Sequence, residues 1–126
     1  MLDISFYSTN GYAPTVVDVS EPFYQWLLQS DFSEIGIAHP HKVTMDTDEV
    51  LVDVVDLNKG SVSNRHRFRE FLVEVIVQEA DAMLISMKDK PASRECKEQV
   101  YRLGKLQELR KCIENENYRF LQNGIY

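Results

Sequence analysis

The stretch Phe68-Arg69-Glu70-Phe71-Leu72-Val73-Glu74-Val75-Ile76-Val77-Gln78-Glu79-Ala80-Asp81-Ala82-Met83-Leu84-Ile85-Ser86-Met87 decides the fold. Phe68, Phe71, Leu72, Val75, Ile76, Ala80, Met83 and Met87 follow the i, i+3, i+4, i+7 spacing of a helix with one apolar face. Asp89-Lys90-Pro91 interrupts that helix and opens another, because proline is tolerated only in a first turn. In the second helix Val100, Leu103, Leu106, Ile113, Phe120 and Leu121 form the predicted stripe, and Asn123-Gly124 ends it. Two long helices across a short break predict an antiparallel helical hairpin.

Upstream, the period is two. Leu2-Asp3-Ile4-Ser5-Phe6-Tyr7 alternates and stops at Asn10-Gly11, which predicts a strand and a turn. Thr15 to Val19 reads as a second short strand. Ser20-Glu21-Pro22 is a helix start, with a capping hydroxyl, an acid at the positive end of the dipole and proline in the first turn. The helix from Glu21 to Gln29 is predicted to bury Phe23, Trp26 and Leu27. Ser30 to Thr47 has no clear period and reads mainly as loop. Glu49 to Leu57 is β-branched, with Val50, Val52 and Val54 on one face and Glu49, Leu51, Asp53 and Val55 on the wetter other. The expected fold is one α+β domain over 1–126: a small N-terminal sheet with one short helix, then a long C-terminal antiparallel helical hairpin. A fully helical chain, with Glu49 to Leu57 as a further helix turn, is the alternative.

The chain has 126 residues, 44% of them hydrophobic, and a net charge of −6. This size and composition exclude a disordered chain and remove the need for disulfides or a structural metal. No signal peptide or long apolar run is evident, so a cytoplasmic setting is expected. The charge is uneven: residues 1–60 hold ten acids and two bases, a net of −8, whereas residues 61–126 hold ten acids and twelve bases, +2. A strongly acidic half argues against nucleic acid and against anionic membrane, since both gain affinity from lysine and arginine. It favours a basic protein partner reached by electrostatic steering, beside the plainer role of keeping a chain soluble.

No motif announces a reaction, so no catalytic residue, cofactor or metal is assigned. His39-Pro40-His41 with Asp46 and Asp48 offers metal-binding atoms but matches no zinc spacing. Cys96 and Cys112, sixteen residues apart on one predicted helix, lie about 24 Å apart along its axis and cannot form a disulfide. Glu79 falls within the apolar stripe, where a carboxylate must pair, protonate or face a cleft. A salt bridge to Arg102 of the second helix is the preferred account, and general acid or base chemistry with His66 the alternative. Arg65, Arg67 and Arg69 stand at a helix start, where the dipole disfavours cations, so an anion should lie nearby. The acidic segment Asp46 to Asp56 is the candidate within the chain.

In general character, small acidic α+β chains without catalytic motifs resemble bacterial immunity and antitoxin proteins that block basic nuclease toxins. That resemblance implies an inhibitor presenting Asp46, Asp48, Glu49, Asp53 and Asp56 to the toxin's cations, with Tyr7, Tyr12 and Phe32 as anchors. A second expectation is a structural or adaptor protein that forms a homodimer through Val73, Val77, Leu84 and Leu109 of the hairpin. A third is a small enzyme using Glu79, or the His39 and His41 pair.

Overall fold

The computed structural model describes residues 2–45, 48–89 and 94–125. In chain order these form β1 (Leu2–Ser8), β2 (Thr15–Val19), α1 (Glu21–Leu28), a 3₁₀ turn (Asp31–Glu34), β3 (His39–Met45), β4 (Asp48–Asp56), α2 (Asn64–Asp89), α3 (Arg94–Glu114) and β5 (Tyr118–Ile125). The fold is α+β, with a short helix and a long helical hairpin beside an antiparallel sheet in the order β2-β1-β5-β4-β3. The segment Lys90 to Ser93, where the first helix was expected to break, lies outside the described residues.

Alternation in β1 sends Ile4 and Phe6 to the helix side of the sheet and Asp3, Ser5 and Tyr7 to the other. On the helix side they join Val17, Val55 and Leu121 of the sheet, Phe23 and Leu27 of α1, and Phe68, Leu72, Leu106, Leu109 and Ile113 of the hairpin. Ser20 caps α1 as expected, its side chain accepting from the Phe23 N–H at 3.3 Å. Trp26, expected to be buried, is partly buried against the same core, with the Arg102 guanidinium 5.9 Å from its ring centre, and Tyr24 is buried as well.

Three expectations are corrected. The second helix ends at Glu114, and Phe120 and Leu121 lie on the central strand of the sheet, one on each face. Asn115 makes the break: its side chain accepts from Asn117 N–H at 3.0 Å and its carbonyl from Tyr118 N–H at 3.1 Å, a local turn that competes with continued helix. Val100, placed in the buried stripe by its spacing, is exposed. Residues 30–47 are not mainly loop, since they include the 3₁₀ turn and β3, whose register sets His41 opposite Val52 and Val43 opposite Val50. The fully helical alternative falls with β4.

Arg65 joins the hairpin to the sheet. Its guanidinium donates to the Ile113 carbonyl at 2.6 Å, to the Asn115 carbonyl at 3.1 Å, to the Tyr118 carbonyl, and to Asn58 Oδ1 at 3.2 Å. The start of α2 is thereby tied to the end of α3 and the first residue of β5. Loss of a charged donor to several half-buried acceptors costs about 1.5–3 kcal/mol per bond in the stronger cases. Arg65→Met is expected to lower unfolding free energy in urea by at least about 2 kcal/mol.

Gly36 and Gly104 make a contrasting pair. Gly36 has φ +74°, and a Cβ there would meet Val55 Cγ1 at 2.6 Å and Asn64 Nδ2 at 2.9 Å. Gly104 lies within α3 with open space where a Cβ would stand. Urea denaturation should show Gly36→Ala destabilising by about 1–3 kcal/mol and Gly104→Ala stabilising by about 0.5–1 kcal/mol.

Candidate functional site

The sheet face turned away from the helices is only partly covered. There the β3–β4 hairpin leaves its neighbour early: β4 pairs with β5 only at Val55 and Asp56. The rest of the hairpin forms a two-stranded arm, and its Val43 and Val54 pack with Tyr7 and Phe120 into a second, smaller core. At alternate positions Val43 and Val54 therefore turn inward and Val52 is partly buried, while Val50, farther out on the arm, is exposed. The opposite positions Glu49, Leu51 and Asp53 face solvent, as expected of the wetter face of this strand, and Leu51 is 64% exposed; Val55, expected on that same face, is instead buried in the main core where β4 rejoins the sheet.

Between the arm and the β1–β2 loop runs a cleft of about 610 Å³. Tyr7, Phe120 and Val43 line it below, Tyr12 and Pro14 on the loop side, and His41 on the arm side. Tyr7 donates its hydroxyl to Gln122 Oε1 at 2.6 Å, and the Ser8 hydroxyl donates to the Tyr12 carbonyl at 2.9 Å, which shapes the lip. The His41 ring lies against Phe120, with centroids 4.1 Å apart and planes tilted by 32°. Among the described residues no three His, Cys, Asp or Glu side chains gather closely enough to hold a metal ion.

The acidic residues divide into two groups. Asp56 is engaged within the chain: its carboxylate meets Arg119 at 3.2 Å and accepts the Asn58 N–H at 3.0 Å. Partial burial pushes its pKa up, but the hydrogen bonds from Arg119 and Asn58, with the Arg119 charge, hold it below the ordinary carboxylate value. Asp48, Glu49 and Asp53 are exposed, and none of the ion pairs among the described residues reaches them. Asp46 lies outside the described residues.

The arginines at the start of α2 do not answer this segment as a group. Arg65 is spent on backbone carbonyls and Arg69 on Glu114 at 3.4 Å. Burial draws the Arg65 pKa below its ordinary value, and the nearby Glu116 and Asp56 charges partly offset this.

Of the expected anchors, Tyr12 is exposed at the lip of the cleft and Tyr7 is buried in its floor. Phe32 is not an anchor for a partner: it is 2% exposed, packed against Phe68 with centroids 4.9 Å apart, and belongs to the main core. Leu109, expected at a subunit contact, is also fully buried in that core, because it stands three residues after Leu106 and four before Ile113 on the core-facing side of α3. Glu79 and Arg102 pair as expected, at 3.1 Å and partly shielded from water. Glu79 does not meet His66, since thirteen residues of helix separate them by about 20 Å and His66 binds Glu70 at 2.9 Å.

Phe120, His41, Val43 and Asp3 are the contributors that spacing alone does not reveal. Phe120 continues the helical stripe seven residues after Ile113, and the strand signal at His39 to Met45 is masked by Pro40, tolerated here because β3 is an edge strand. Asp3 is 6% exposed on the same sheet face, and its Oδ1 has no hydrogen-bond partner among the described residues. Burial raises its pKa, and the carboxylate of Asp18, its cross-strand neighbour, raises it further.

No helix among the described residues is long and apolar enough to cross a membrane. Comparison with protein-family models, with curated proteins and with solved structures finds no match, so the site rests on its own geometry.

A carboxyl whose pKa is raised by folding favours the folded state most when protonated, and that advantage is lost as pH rises through the folded-state value. Asp3→Asn, which keeps the shape and removes the charge, is therefore expected to raise the melting temperature at pH 7. The gain should shrink as pH falls toward the ordinary carboxyl range of about 4, as followed by thermal unfolding across that range.

Proposed function

We propose that this chain is a protein-binding inhibitor that takes a basic partner on its β3–β4 arm, in the manner of immunity and antitoxin proteins that neutralise nuclease toxins. The observation that carries this reading is the arm itself: Glu49 and Asp53 flank the exposed Leu51 on its outward face, with Lys42 across the hairpin from Leu51, Asp48 is exposed where β4 begins, and none of the ion pairs among the described residues engages these three carboxylates. Carboxylates so placed stand in for the phosphates that a nuclease's lysines and arginines would otherwise hold. Such charges set the encounter rate and exclude wrong partners, while apolar contacts supply most of the affinity. Leu51 on the arm and Tyr12 at the cleft are the exposed apolar contacts. The inhibitor acts by occupancy and carries out no chemistry of its own. A reducing cytoplasm suits the buried thiols of Cys96 and Cys112, which are not joined by a disulfide.

The test begins with capture from the lysate of the source organism on the full chain, comparing it with the variant Asp48→Ser, Glu49→Ser, Asp53→Ser. A basic protein should be retained by the unaltered chain at low salt and lost by the variant. With that protein purified, the variant should associate at least about tenfold more slowly at low ionic strength, the difference closing as salt is raised. An association rate indifferent to both the substitutions and the salt would sink the proposal.

A further inference from the structure

We infer that the cleft between α1 and the first half of α3 binds a small aromatic anion, its ring held against Trp26 and Tyr101 and its charge by Arg94 and Lys97. This site goes beyond the arm and does not depend on it, because α1 and α3 pack on the opposite side of the sheet. The cleft holds about 400 Å³, an ordinary volume for a small-molecule site.

Arg94, Lys97, Glu98, Tyr101 and Arg102 follow one another by three, one, three and one residues, which sets them on one face of α3. From α1, Phe23 and Trp26 line the other side. Phe23 is buried at the base: its ring centre lies 5.7 Å from that of Trp26 and 6.2 Å from that of Tyr101. Trp26 is only partly buried and Tyr101 is 39% exposed, so ring surface stays open to the cleft. The Ser20 N–H donates to the Tyr101 hydroxyl at 2.8 Å, which ties the start of α1 to this wall and holds it in place without a ligand.

The chemistry of the occupant is read from the lining. Three aromatic rings favour an aromatic partner, which can stack on them or meet them edge to face. Three cations stand beside the rings, and Glu98 is the one carboxylate among the described lining residues, on a chain whose net charge is −6. Glu98 pairs with Arg94 at 3.2 Å, but the Arg94 side chain is 94% exposed, and an ion pair so placed contributes little and yields readily to a ligand. Lys97 enters none of the ion pairs among the described residues. Arg102, held by Glu79 and close to the Trp26 ring, shapes the wall. The helix dipoles agree with the charges. The cleft lies at the first turns of both α1 and α3, and the acids of those turns, Glu21 and Glu95, do not line it. Arg94 and Lys97 therefore stand where their own helix disfavours a cation and favours an anion.

Trp26 is the only tryptophan in the chain, so its fluorescence reports on the cleft directly. The full chain is titrated with phenylacetate and with adenosine monophosphate, whose anions are a carboxylate and a phosphate, and with their neutral counterparts phenylacetamide and adenosine. At least one anion should change the Trp26 emission saturably and bind about tenfold more tightly than its neutral counterpart, the difference narrowing as salt is raised. Which anion saturates distinguishes a carboxylate ligand from a nucleotide. Arg94→Gln with Lys97→Gln should weaken binding about tenfold and leave circular dichroism and melting unchanged, since both side chains are exposed. Tyr101→Leu should weaken binding without altering its salt dependence, because it removes a ring and no charge. The absence of a saturable change with either anion overturns the inference. So does a neutral counterpart that binds as tightly as its anion, or anion binding that the paired glutamine variant leaves intact.

Discussion

The fork of hydrogen bonds from Arg65 is the constraint on which the fold closes. A helical hairpin can pack on a sheet in many orientations if apolar contact is its only tie, because burial of apolar surface is not directional. Hydrogen bonds are directional, and Arg65 fixes three backbone carbonyls, of Ile113, Asn115 and Tyr118, from the first turn of α2. Those carbonyls are the ones that the end of α3 leaves without helical partners and the one with which β5 begins. The chain therefore leaves the hairpin in one direction, and β5 enters between β1 and β4 rather than at an edge. An arginine at a helix start is unfavourable against the dipole of its own helix, but here it serves the end of the neighbouring one, where a cation is favoured.

Insertion of β5 explains the second feature of the architecture. Its neighbouring residues Phe120 and Leu121 point to opposite faces, so one strand supplies both cores. Leu121 meets the helices, while Phe120 holds Tyr7, Val43 and Val54 on the far side. Because β4 pairs with β5 over only two residues, it is this small apolar cluster, not a ladder of hydrogen bonds, that holds the arm against the sheet. Apolar burial on one side of the arm leaves the alternate positions facing water, which is why Glu49 and Asp53 share a surface with Leu51.

Much of the helical half was legible because long elements repeat their signal. The stripe from Phe68 to Met87 could not be satisfied by a strand, and Glu79 within it required a partner, which Arg102 provides. The last strand was hidden because Phe120 stands seven residues after Ile113 and so continues a helical period by coincidence of spacing. The turn at Asn115 to Asn117 was the only local signal against it, and it depends on side-chain hydrogen bonds that a count of apolar positions does not register. β3 was hidden for another reason: proline and two histidines carry no strand preference, and the strand exists because β4 supplies its partner across the hairpin.

The acidity of residues 1–60 was visible as a number, but its meaning depended on which cations faced it. Sequence order suggested Arg65 to Arg69, since they follow the acidic strand closely. Hydrogen-bond geometry decided otherwise, because half-buried backbone carbonyls left without donors would cost more than exposed carboxylates left to water. Arg65 is consumed by the carbonyls, Arg69 by Glu114, and among the described acids of residues 1–60 Asp56 alone enters an ion pair, with Arg119 from the central strand. What remains on the arm is charge that folding does not use. Exposed carboxylates cost the folded state little, so their presence does not require a partner; Glu49 and Asp53 on either side of the exposed Leu51 give the outward face of the arm one surface to present, on the side away from the positions of His41 and Val43 that line the cleft.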